Sequence, residues 1–309
     1  MWKPALVLLM TFTGLCRAQQ NSDLVSVPDA TFEFKSGFWC NLHHFLIEQA
    51  VQTPASRSGP AEWDAAVDYY RAKVVSLDPL SEESAQINLR LSDQKSSASL
   101  DGTGLSVALV NALNSVADFY RKRWWPAQDQ ANRAWVAQLS PRLEKYGGVL
   151  RQRLAVAYAT PWPPDPIHVH VVEYANSTGA YTTLDPTHTT VSSTSDANQG
   201  DSGLEIVFHE ASHALISKIR TALSDEVRAR NRLLVHRDFW HAILFYTTGE
   251  TVHQCLDGYT PYAVRHSLYE RSWPGVPEIL EGIWKPYMDG KVDLETAIRR
   301  LVDAYSLPK

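Results

Sequence analysis

Two histidines four residues apart, with a glutamate beside the first, form the stretch best suited to chemistry: His209-Glu210-Ala211-Ser212-His213. On an α-helix four residues make about one turn, so both imidazoles project from one strip of its surface. Two neutral ring nitrogens at that separation suit two corners of a zinc tetrahedron. Glu210 stands close enough to take a proton from water on such an ion without binding the metal itself. Local signals predict the helix. Asp201 or Ser202 can cap its start, and Glu205, three residues after Ser202, would complete a capping box. Leu204, Val207, Phe208, Ala211, Leu215 and Ile216 give it a broad apolar face.

A catalytic zinc site needs a third protein ligand and one open position. Residues 219–223 hold neither the glycine nor the histidine that would extend the motif, so the ligand must come from another element. The stretch 238–256 reads as a helix and offers two. Glu250 follows Thr247-Thr248-Gly249, and His241 lies nine residues earlier, about 180° around the helix, so one ion cannot easily take both. Gly249 would let this backbone approach the first helix closely. Glu250 is the preferred ligand, with His241, His236 and His253 as lesser candidates. Acyl transfer also needs a donor to the oxyanion. Tyr262 is the first choice in Gly258-Tyr259-Thr260-Pro261-Tyr262, followed by Tyr259 and His266. Glu205 and Asp257 are candidates to orient the histidines.

The histidine-glutamate motif followed by Thr248-Gly249-Glu250 on a second helix resembles the gluzincin zinc metallopeptidases, over about residues 165–270. The resemblance implies one zinc ion on His209, His213 and Glu250, with Glu210 as general base. It implies an endo- or aminopeptidase acting on peptide or protein, with an edge strand within 180–192 binding extended substrate. The interval from His213 to Glu250 is longer than in familiar members. Two further functions fit the same residues: a zinc hydrolase of non-peptide amides, or an exported binding protein on a zincin scaffold without catalysis.

The elements around the motif predict a mainly α (α+β) chain. Helical spacing runs through 38–49, 63–77, 105–125 and 133–158, the last broken around Pro141 and Gly147-Gly148. Residues 19–31 read as polar and loose, and 53–60 as a linker. Alternation in Ile167-His168-Val169-His170-Val171-Val172, then 181–184 and 189–191, predicts a small antiparallel or mixed sheet. Helix resumes from Leu204. The expected division is a helical region at 19–160 and a two-helix zincin-like catalytic region at 161–309.

The remaining histidine pairs read as structural: His43 and His44 project about 100° apart on a helix, and His168 and His170 share one face of a strand. Asn176-Ser177-Thr178 is a glycosylation sequon. Residues 1–18, with Lys3, an apolar run from Ala5 to Leu15 and Ala18, have the layout of a cleavable signal peptide, which implies a secreted or periplasmic protein without a membrane span. Removing Lys3 and Arg17 from the 29 basic residues leaves 27 against 34 acidic ones. That acidic balance disfavours nucleic acid. Outside the leader only Cys40 and Cys255 remain, to form a disulfide or stay as two thiols.

Overall fold

The computed structural model describes residues 23–52 and 59–308, so the leader at 1–18 and linker residues 53–58 lie outside the described residues. Strands β1 (Leu24–Val25) and β2 (Phe32–Lys35) come first, followed by helices α1 (Phe38–Val51), α2 (Ala61–Lys73), α3 (Glu82–Ser92), α4 (Val107–Arg123) and α5 (Trp125–Ala157). Next are β3 (Ile167–Val172), β4 (Ala180–Thr183) and β5 (His188–Ser192), then α6 (Asp201–Ser212), α7 (Ser217–Ala229), β6 (Arg232–Leu234) and α8 (Phe239–His253). Short helices α9 (Tyr262–Arg265), α10 (Leu268–Ser272), α11 (Val276–Ile279) and α12 (Lys285–Met288) lead to α13 (Leu294–Ala304) and β7 (Ser306–Pro308), which pairs with β6. The architecture is mainly α (α+β) with a small mixed sheet. No helix among the described residues is long and apolar enough to cross a membrane.

The sheet runs β1-β2-β3-β5-β4, with β3 parallel to both neighbours and β4 antiparallel at the edge. Because side chains alternate across a strand, the sheet has two unlike faces. Phe34, Val169, Val171 and Val191 belong to one core with α5, α6, α8 and α13, while Val172 and Tyr181 belong to a second core with α1 to α4. Strand β1 lies inside the stretch expected to be loose, and Phe32-Glu33-Phe34-Lys35 adds β2 beside β3. The β2–β3 ladder and the packing of α5 on α6 tie residues on either side of position 160 into one core.

The expected break in α5 does not occur. Pro141 removes an amide from the helix ladder, but Ala137, whose carbonyl loses its partner, faces solvent. The buried stripe Trp135, Leu139, Leu143, Leu150 and Leu154 runs unbroken past it. Gly147 sits against Asp29, where a Cβ would lie 2.7 Å from the carboxylate. Helix α3 occupies a stretch where the apolar spacing predicts none, although Ser81 accepts a bond from the Ser84 amide and Glu82 and Glu83 follow in its first turn. Cys40 is buried on α1 with its thiol toward Asn88, whereas Cys255 sits beside Arg153 against the other core. Both are free thiols, so no disulfide joins them.

Candidate metal centre

Helix α6 starts without the expected capping box. Gly200 precedes it with φ 61°, a conformation an L side chain rarely adopts, and makes no side-chain cap. Asp201 instead pairs with Arg142 at 2.5 Å, and Glu205 turns into the core. The helix closes at Ser212. His213 caps it, its amide bonding back to Glu210 O at 3.2 Å.

Helix α8 runs antiparallel to α6, and the two meet in step every four residues. A Cβ on Gly249 would come 3.1 Å from Glu205 Oε1 and 2.9 Å from Pro261 Cβ, so only glycine permits this approach, in line with the sequence. One turn on, Phe245 stacks on His209 with ring centres 3.8 Å apart. A further turn brings His241 to His213, ring centres 5.2 Å apart.

That register brings His241, and not Glu250, beside the two motif histidines. His209, His213 and His241 each offer a ring nitrogen, all within 4.8 Å of one another, and this group could hold a metal ion. His209 Nε2 and His241 Nε2 face each other at 3.2 Å. Glu250 lies one residue beyond Gly249, about 100° off the contact face. It pairs with Lys285 and accepts from Gln254 Nε2 at 2.9 Å. His236 and His253 are engaged away from the triad: His236 bonds the Tyr305 hydroxyl and His253 the carbonyl of Tyr259. Burial holds the three clustered rings neutral, with His213 pushed down to about 3 and His241 to about 4. His209 falls well below the usual range, first through burial and then through its two histidine neighbours.

Glu210 lies beside the triad, its Oε2 3.9 Å from His213 Nε2. Burial pushes its pKa up to about 7, while a 2.8 Å bond from the Thr182 hydroxyl opposes the rise. Thr182 sits on edge strand β4 and also bonds Thr189 at 2.9 Å, so the sheet edge is tied directly to the glutamate.

The Tyr262 ring lies parallel to Phe245, and burial, then the nearby Glu210 and Glu205 charges, raises its phenol pKa. Its ring is 4.6 Å from His266, whose Nε2 is buried without a partner among the described residues. Tyr259 is committed elsewhere, donating its hydroxyl to Glu205 Oε2 at 2.7 Å. Neither carboxylate expected to orient the histidines does so. Asp257 is exposed, and Glu205 accepts instead from Tyr259 and from the Tyr262 amide at 2.8 Å. His209 Nδ1 has no partner among the described residues. Asp238, which no sequence signal marks, accepts from Trp273 Nε1 at 3.2 Å, and Trp273 packs edge-on against His241.

Glu205 therefore fixes the segment that carries Tyr262. Burial pushes its pKa up to about 7 from 4.5. An acid whose folded pKa is raised favours folding fully below its unfolded value and loses that contribution as pH climbs through the folded one, here between about 4.5 and 7. Glu205→Gln, which cannot ionise, should gain on the wild type by roughly 3 kcal/mol across that window. Thermal melts of both proteins at pH 5 and pH 8 test this; parallel changes in Tm would contradict it.

No protein-family model, curated protein or solved structure matches the chain.

Proposed function

We propose that the chain is a zinc-dependent hydrolase of peptide bonds, exported if residues 1–18 act as the leader they resemble. The observation that carries this reading is the nearly equilateral set of imidazoles beside a buried carboxyl. The ring centres of His209, His213 and His241 are 5.3, 5.3 and 5.2 Å apart. An ion about 2.0–2.1 Å from each nitrogen would lie ~3.2 Å from each ring centre, and at that reach these spacings subtend about 110°, the tetrahedral angle. Three neutral donors in that arrangement leave the fourth corner for a non-protein ligand. The set is three histidines, where the gluzincins have two histidines and a glutamate, but two crossing helices still supply it.

When bound, zinc supplies Lewis-acid polarisation of a carbonyl and acidification of water. The chain's own residues do the rest. Glu210, held by Thr182 through Oε2, has Oε1 left to accept a proton and deliver it to a leaving amine. Phe245 and Trp240 wall the site apolar against the triad and restrict water around the reacting groups. Tyr262 is the donor proposed for the developing oxyanion, positioned by the Glu205 bond to its own amide.

The test is cleavage of a peptide library by zinc-loaded protein, with amino-acid anilides in parallel. Peptide products that vanish on chelation and return with zinc are expected. Anilide turnover alone would move the substrate to small amides, and stoichiometric zinc with no turnover of either would overturn the hydrolase reading.

A further inference from the structure

The sheet separates the triad from a second group of histidines. Thr182 and Thr189 point toward Glu210, so His170 on β3 and His188 on β5, at the other parity of the strand register, point toward α1. The two rings lie 4.4 Å apart, centre to centre, and are 1% and 4% exposed. Among the described residues none of their four nitrogens has a hydrogen-bond partner. A buried polar atom left unsatisfied costs about 1–3 kcal/mol, so four together call for a ligand.

Their neighbours are already engaged. His44 uses both nitrogens, on Cys40 O and the Tyr181 hydroxyl, each at 2.8 Å, and His43 bonds the Tyr70 hydroxyl. Glu33 is engaged by both Lys35 and His168. Burial keeps His170 and His188 neutral, with lone pairs available to a cation.

We propose that His170 and His188 hold a second metal ion, of the copper(II) type, independent of the triad. With nitrogens about 2.0 Å from the ion, ring centres at this spacing subtend about 90°, against about 110° in the triad. A right angle suits adjacent corners of a square or tetragonal ion and disfavours tetrahedral zinc. Copper(II) also heads the affinity order at nitrogen donors. His168, on the same face and half exposed, marks the side from which the ion enters.

The test is copper(II) titration of the intact chain with glycine as competitor, read by native mass spectrometry and by electron paramagnetic resonance. The wild type should bind two ions, His188→Gln and His213→Ala one each, and the double variant none. The signal lost in His188→Gln should carry the splitting of two imidazole nitrogens. A wild type that binds one ion, with His188→Gln unchanged, overturns the proposal. Loss in His188→Gln but not in His213→Ala would overturn the triad as a metal site and leave this one standing. If His188→Gln fails to fold, the wild-type ion count and nitrogen splitting decide alone.

Discussion

His241→Ala should leave the purified protein without zinc, while Glu250→Ala keeps a full equivalent. His241 contributes one of the three nitrogens clustered among the described residues, two of them facing each other at 3.2 Å. Loss of a residue that merely orients a ligand weakens metal binding by about 10–100-fold, so loss of a ligand should exceed that. Glu250→Ala removes a partly exposed ion pair with Lys285, worth at most about 1 kcal/mol, and the bond from Gln254. Elemental analysis of both variants after dialysis decides between them. Zinc kept in His241→Ala and lost in Glu250→Ala would return the third position to the glutamate.

The second large effect belongs to Glu210. Glutamine has the same shape and can still accept the Thr182 hydroxyl, so Glu210→Gln should bind zinc normally while kcat falls about 10²–10⁴-fold, the range for a lost general base. Zinc lost with the activity would make Glu210 a ligand instead. The pH profile gives a finer check. A base must be ionised to act, so wild-type activity should fall on the acid side as the Glu210 carboxyl takes up a proton, a limb that burial moves up and a bound cation moves down. Thr182→Val removes the donor that opposes the rise from burial, and its limb should move to higher pH. An unmoved limb would assign the titration to another group.

Much of this site could be read from the sequence because its strongest signals are local. The His209-to-His213 spacing, the apolar face around it and the alternation in 167–172 each arise within a few residues, and each appears as expected. The third ligand depends on which face α8 turns to α6, and α8 does not declare one. Phe239, Ile243, Leu244, Phe245, Thr248 and Val252 are all buried, so it is apolar nearly all round and has no stripe to orient it. Gly249 did carry the information. A glycine required for close approach marks the contact face, and positions four and eight residues before it, Phe245 and His241, follow on that side. The capping box failed for a related reason: Glu205 has better partners in Tyr259 and the Tyr262 amide than at its own helix end. The place of β2 in the sheet depends on pairing more than 130 residues away, which no local pattern reports.

That pairing has a consequence for how the molecule comes into being. As the chain emerges from the ribosome, β2 has β1 on one side but waits for β3 on the other while α1 to α5 are made between them, so its β3-facing edge stays open throughout. The first two imidazoles of the triad follow β5, and the third comes only with α8. Completion of the triad is therefore a late event in synthesis, and a polypeptide stopped short of residue 241 would carry the motif without its third imidazole.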